Sequence, residues 1–435
     1  MTNSHPSRSS RVWRLAIVAL ACAAALPGAG CDAPKAEFQP NLVYFRGQFE
    51  FPDPDAPPEE PGEGEVSITS NRDLYDPVVV EYLQDLQNVM VALMGTPDDP
   101  VVPVLPDADL TSILSIDRLR AAAGRVGSDQ EGRAHGLYRQ HCVHCHGITG
   151  DGLGPTATFL NPYPRDYRRG LFKFKSTPTT QPPTDDDLHR ILREGIAGTA
   201  MPSFKVLPED DRESLVQYVK YLAIRGQIER ALIFETAELI GEQRLFDLSL
   251  KKKDPEAFAE QLTLVQEVAA GVIGPWLEAD TLTTPVPPPP ENWNTAESIA
   301  EGKRLFFTAL ASCSKCHGEG ALGDGQTSDY DEWTKELKPA NPVAVDQFLA
   351  LGALPPRHIL PRNLRQGIYR GGRRPVDLFW RIKNGIAGTP MPAASKELTD
   401  DQIWHLIAYV RSLPYDAISR PRYHGPKPVV PRKRL

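Results

Sequence analysis

Two stretches constrain this chain more than anything else in it: Cys142-Val143-His144-Cys145-His146 and Cys313-Ser314-Lys315-Cys316-His317. Cys-x-x-Cys-His is the attachment sequence of a covalently bound haem. The spacing has a chemical reason. Two thiols three residues apart on one helical turn can each add to a haem vinyl group, and the adjoining histidine is then aimed at the iron. A redox dithiol does not need that trailing histidine. A zinc site needs further Cys or His at finger-like spacing, which the segments after His146 and His317 do not offer. Two complete copies predict two covalently bound haem c groups.

An internal repeat surrounds the motifs. Gly195-Ile196-Ala197-Gly198-Thr199-Ala200-Met201-Pro202 returns as Gly385-Ile386-Ala387-Gly388-Thr389-Pro390-Met391-Pro392, with a single difference. Between motif and octamer, Gly150-Asp151-Gly152 pairs with Gly323-Asp324-Gly325, and Pro164-Arg165 with Pro361-Arg362. After each methionine a helix is predicted, carrying Leu215, Tyr218, Val219 and Leu222 in one copy and Leu406, Tyr409, Val410 and Leu413 in the other.

The order helix, Cys-x-x-Cys-His, glycine-rich loop, Met-Pro, helix resembles the class I cytochromes c. The resemblance covers about half the chain. It implies an all-α fold of two cytochrome c domains joined by a helical, Pro-rich bridge and preceded by an N-terminal extension. In that family His and Met bind iron from opposite faces, a pairing that raises the reduction potential. This assigns Cys142, Cys145, His146 and Met201 to haem one, and Cys313, Cys316, His317 and Met391 to haem two. His135, His141, His144, His189, His358 and His405 are competing candidates without counterparts in the other repeat. The family also uses a proline carbonyl after the motif to orient the proximal His. Pro155 suits that role for His146, and only Pro339 or Pro342 could serve His317. The first and last helices of each domain should cross at a small residue and an aromatic four apart, Ala134 with Tyr138 and Gly302 with Phe306. The wider spacing of Phe306 from its motif makes the second domain the expected exception. Arg165 and Arg362 are expected to pair with haem propionates. The remaining bases between motif and Met (Arg168, Arg169, Lys173, Lys175, Arg365, Arg370, Arg373, Arg374) read as a steering surface for an acidic partner or as a solvated loop.

The ends of the chain speak to location. Arg8, Arg11 and Arg14 precede the apolar run Leu15 to Leu26, too short at about a dozen residues for a span that needs ~20. Gly28-Ala29-Gly30 then leads into Cys31, so residues 1–30 resemble a lipoprotein-type signal peptide, with Cys31 the acylated N-terminus of an exported, periplasmic, membrane-tethered protein. Plain secretion is the alternative. Four of the six cysteines lie in the haem motifs, leaving Cys22 and Cys31, both at the leader. Removing the leader takes away three arginines and no acid, which moves the net charge from −8 to −11 and argues against nucleic acid as a partner.

The remaining segments divide as follows. Residues 31–115 hold a Pro-rich, acidic tether up to about Ser67 and an amphipathic helix near 76–94, in which Met90 and Met94 belong to the apolar stripe. The helix is expected to pack on the first haem domain or on a partner. The first domain runs over 116–225, a charged helical bridge with a proline spacer over 226–292, the second domain over 293–415 and a basic tail over 416–435. The reading as a whole is a di-haem electron carrier serving respiratory redox proteins, an oxidase or a quinol-oxidising complex as donor or acceptor. A di-haem peroxidase or related haem oxidoreductase is the alternative, which needs one iron with an open position. A haem-based sensor lacks a recognisable output domain.

Overall fold

A computed structural model places residues 35–48, 74–106, 108–241, 243–330 and 342–422. The leader with Cys31, residues 49–73 of the tether and the tail beyond 422 lie outside the described residues. Among those described, the strands are limited to one short hairpin, Gly127–Ser128 against Ala134–His135. The rest of the regular structure is helical, as the class I pattern requires.

The extension is part of the first domain's core. Helix α1 (Leu42–Arg46) buries Phe45, and α2 (Pro77–Met94) starts where Asp76 accepts a hydrogen bond from the Val78 N–H at 2.9 Å, with proline at the first position. Val79, Leu86, Met90 and Met94 are buried on its inner face, so both methionines are core side chains. The segment 37–48, expected as tether, is instead docked. The Asn41 N–H donates to Glu229 Oε1 at 2.9 Å, Glu229 pairs with Arg225 at 3.0 Å, and Arg225 lies 4.2 Å over the Phe38 ring.

These partners sit on the longest helix. After α3 (Ile116–Ala122), α4 (Leu137–His141), α5 (Val143–His146) and α6 (Asp185–Glu194) comes α7, Glu209–Thr236. Its 28 residues span about 42 Å. A boundary at 225 therefore cuts a continuous helix. Its acidic first turn suits the positive end of the helix dipole, and its second half buries Ile228, Leu232 and Ile233 completely. The bridge helix α8 (Pro255–Glu278) packs along it and adds Ile273 and Trp276 to the same core cluster.

The second domain has its own core. Helix α9 (Ala296–Phe306) leads to α10 (Cys313–His317). It is followed by α11 (Pro342–Ala350), α12 (Pro375–Asn384) and α13 (Asp400–Ser412). Helices α9 and α13 cross at Gly302, where an added Cβ would lie 1.9 Å from the His405 carbonyl oxygen. Phe306 meets Tyr409 edge-on at 5.4 Å. The crossing expected of the family is thus present in the second domain, and the exception is the first. There Ala134 is in the hairpin, Gly136 turns with φ +74°, and α3 rather than the segment at 134 packs across α7. Tyr138 keeps its place, 5.0 Å from Tyr218.

The two domains touch directly, and the proline run is bound on both sides instead of standing off as a spacer. Thr284 N donates to Ser176 O at 3.0 Å, Thr284 Oγ1 to Asn384 Oδ1 at 2.9 Å, and Trp404 Nε1 to Pro287 O at 3.2 Å. Asn384 Nδ2 reaches the carbonyls of Ser176 and Thr177. Arg357 donates to the Thr158 carbonyl at 3.0 Å and stacks 3.7 Å over Tyr163.

Because the atom facing Gly302 is a backbone oxygen, it cannot rotate away. Gly302→Ala should destabilise the second domain by about 1–3 kcal/mol. Gly271→Ala, on the exposed side of α8 with open space around it, should be neutral or gain up to ~1 kcal/mol. Thermal denaturation of the two variants checks the contrast, and equal behaviour would refute it.

Candidate haem sites

Both motifs form a single helical turn that ends at a glycine with positive φ, Gly147 at +72° and Gly318 at +79°. The next loop folds back onto the turn in the same way in each repeat. Gly152 N donates to His146 O at 2.9 Å and Gly323 N to His317 O at 2.8 Å. Gly154 N and Gly325 N donate to Cys145 O and Cys316 O, both at 3.1 Å. The structural register is therefore Gly152 with Gly323 and Gly154 with Gly325, two residues off the pairing that the shared Gly-Asp-Gly suggests. Asp151 and Asp324 fall at different positions of this register, yet both carboxylates come against the glycine after the motif.

The proximal histidines are oriented by arginine carbonyls. His146 Nδ1 is 3.1 Å from Arg165 O, and His317 Nδ1 is 3.1 Å from Arg362 O. A carbonyl only accepts, so Nδ1 carries the proton and Nε2 keeps its lone pair. Pro155 does not have this role: it is exposed. Pro339 lies outside the described residues, and the His317 ring has its acceptor in the Arg362 carbonyl, not in Pro342. Burial pushes His146 down to about 4 against the pull of that hydrogen bond, and lowers His317 likewise. Both rings are neutral at neutral pH, the form that binds metal. Tyr167 stacks on His146 at 4.7 Å and 16° between planes. Leu364 stands at the matching position, the N–H of each donating to the residue at the turn, Gly150 or Ala321.

The thiols do not resemble a redox pair. Burial raises Cys142 to about 12 and Cys313 to about 11, whereas a reactive dithiol needs a lowered value. Among the described residues no group of three or more Cys, His, Asp or Glu is placed to hold a metal ion, which leaves the zinc reading without a donor set.

The octamers fold as identical loops. Ile196 N and Ile386 N donate to the carbonyls of Met201 and Met391, both at 3.1 Å. Thr199 Oγ1 accepts from Met201 N at 3.1 Å, as Thr389 Oγ1 does from Met391 N at 3.2 Å. Each loop opens at a glycine, Gly195 or Gly385, whose φ near +70° and whose close approach to backbone exclude a side chain. Met201 packs against the first domain's core. Met391 lines a cavity of about 570 Å³ with Cys313, Cys316 and His317, a size within the ~300–1,000 Å³ of cofactor sites.

That cavity fits a haem by its donors and its orphans. Two thiols, an imidazole and a thioether face an otherwise largely apolar wall. Arg362 and Arg381 line it with Nε atoms that are buried without hydrogen-bond partners among the described residues. A haem's carboxylates are the counter-groups such atoms lack. Arg381 carried no signal in the sequence beyond a base on an amphipathic helix.

Four of the six competing histidines are engaged elsewhere. His135 and His358 bond the carbonyls of Arg125 and Ser328, His189 pairs with Glu213 at 2.6 Å, and His405 meets Ser298 Oγ at 2.7 Å. The expected steering surface is also largely committed. Arg168 is buried against Asp166, Lys175 is buried among the carbonyls of Pro178 and Thr179, and Arg365 and Arg374 are paired with Asp416 and Asp377.

Residues 129–219 match the family model described as cytochrome C oxidase, cbb3-type, subunit III, and residues 299–414 match that of cytochrome c. No curated protein matches the chain. Among solved structures, a chain of the reducing HAO-like protein complex of Kuenenia stuttgartiensis is similar at 26% identity and a TM-score of 0.43, over 66% of this chain and 99% of that one. Two cytochrome c domains, each on its own Cys-x-x-Cys-His turn, define the class. The chain is a di-haem c-type cytochrome, binding two covalently attached haem c groups for haem-based electron transfer.

Both haems should survive acid–acetone extraction, and the pair Cys142→Ala with Cys145→Ala should leave one, as read by intact mass. Pro155→Ala should retain the haem-one spectrum, because the acceptor for His146 is the Arg165 carbonyl. A changed spectrum would return the role to proline.

Proposed function

We propose that the protein is a relay and not an enzyme: it passes single electrons between respiratory redox proteins, with His146 and Met201 binding one iron, and His317 and Met391 the other. The observation that carries this reading is the sameness of the two octamer loops, which gives both domains a thioether at the same point of the same fold. The haems supply the one-electron chemistry, alternating between ferrous and ferric iron. The chain's residues keep the imidazoles neutral and oriented and enclose the site. The resemblance of the first domain to a cytochrome c oxidase subunit family supports an oxidase as partner, with a quinol-oxidising complex as the other candidate.

A six-coordinate iron leaves no position for carbon monoxide or peroxide. Both ferrous haems should therefore resist carbon monoxide, and peroxide turnover should be negligible. Met201→Ala or Met391→Ala should each open one site and lower that haem's potential. Rapid peroxide turnover by the unaltered protein, with carbon monoxide bound at one haem, would put a di-haem peroxidase in the relay's place.

We also propose that the protein is periplasmic and held at the membrane by lipid on Cys31. No described helix is long and apolar enough to cross a membrane, and stable anchoring takes more than one acyl chain, which lipoprotein processing supplies. Cys31→Ser should move holoprotein from the membrane fraction to the soluble one. Retention at the membrane would assign the attachment to a protein partner.

A further inference from the structure

The haem-two cavity is not walled by the second domain alone. Lys173 and Phe174 of the first domain stand in its lining. They fit there because position 371 is glycine: a Cβ would lie 2.2 Å from Phe174 Cγ, on a backbone with φ +77°. Arg190 locks the arrangement, donating to Gly371 O at 2.9 Å and Phe174 O at 3.3 Å while paired with Asp187 at 2.8 Å and Asp377 at 3.1 Å.

The formal charges of this wall have one sign. Lys173, Lys315, Arg362, Arg370 and Arg381 line it, and among the described residues no carboxylate does. Arg381 is the most confined of them, 8% exposed, with its guanidinium 5.6 Å from the centre of the Phe174 ring. The carboxylate whose charge reaches it, Asp377, is already held by Arg190 and by Arg374 at 2.7 Å. Burial lowers Arg381 to about 10, so it remains a cation at neutral pH. The first repeat has an aliphatic side chain at the matching place. Counting back from the octamer glycines, Ile191 holds the place of Arg381.

We propose that Arg381 binds the carboxylates of haem two beside Arg362, and that the cationic wall it completes makes haem two the more readily reduced of the pair, so that electrons run from the first domain to the second. The physical argument is one of charge. Ferric haem carries one more positive charge than ferrous, and in a site of low dielectric a fixed cation disfavours the ferric form. Neutralising a carboxylate of the haem acts in the same direction. In the transfer step the first iron is oxidised from ferrous to ferric as the second is reduced from ferric to ferrous, with no bond or proton moved. The proposal rests on the His/Met relay reading.

The test is a spectroelectrochemical titration of the full holoprotein, with Met391→Ala marking which wave belongs to haem two. The upper wave of the unaltered protein should be haem two. Arg381→Ile and Arg381→Gln should lower that wave at least tenfold in its reduction equilibrium, about 59 mV for one electron, and leave the other in place. Arg381→Lys should restore most of the difference. Loss of haem two from the neutral variants but not from the lysine variant would support the carboxylate-binding role. The proposal is overturned if the upper wave is haem one, if the neutral variants keep both haems and both midpoints, or if lysine shifts the wave as far as isoleucine. The methionine–iron charge-transfer band, recorded on the same samples, separates failure of this proposal from failure of the ligation reading: its absence from the unaltered protein would strike the ligation reading, and its presence with unmoved midpoints would strike this proposal alone.

Discussion

A hydrogen bond from each proximal imidazole to a backbone carbonyl is what the two sites depend on. The acceptors belong to Arg165 and Arg362, 19 and 45 residues after their histidines. The much longer loop in the second repeat therefore returns to the same point. Once that bond is set, the tautomer is set, Nε2 is available, and the Pro-Arg turn becomes a fixed edge of the cavity. Because the acceptor is main chain, it is held by the fold of its turn, which the N–H groups of Tyr167 and Leu364 anchor to the loop after each motif. The orienting bond makes no demand on the arginine side chain, and in the second domain Arg362 presents to the cavity a buried Nε without a hydrogen-bond partner among the described residues.

The covalent chemistry was legible in the sequence because it depends on side-chain identity at short spacing: the two motifs, the two octamers and the helix over Pro77–Met94 all carry their meaning in residue type. What escaped was carried by backbone or by distance. The choice of Arg165 over Pro155 turns on a carbonyl, which every residue has. The pairing of Gly-Asp-Gly segments was shifted by two because Ala321 takes a positive φ of +56° where the first repeat uses Gly150, a substitution that composition does not flag. The boundary drawn at 225 falls inside α7 because Lys220, Arg225 and Glu229 read as solvent-facing charges and are in fact buried, so a helix shared by the first domain and the bridge looks like two separate segments.

The contact between domains changes what the charges mean. A cluster of bases between motif and methionine reads as a docking surface when each domain is considered alone. Joined, Lys173 turns to the wall of the other domain's cavity, Arg190 spans Asp187 and Asp377, and Arg357 is spent on the first domain's loop. Few of these cations remain to meet a partner. Their effect falls inside the molecule, on the relative standing of its two redox centres.

The docking of α1 has a consequence for the time course of folding. Asn41 finds its acceptor in Glu229, 188 residues on, and Arg46 donates to Gln347 at 3.0 Å across 301 residues of chain. Contacts so remote in sequence form slowly: the first needs the second half of α7 in place, and the second needs α11, inside the second repeat. The earliest described segment of the chain is thus among the last to reach its place, and its contact with Gln347 ties the edge of the first haem domain to the folding of the second.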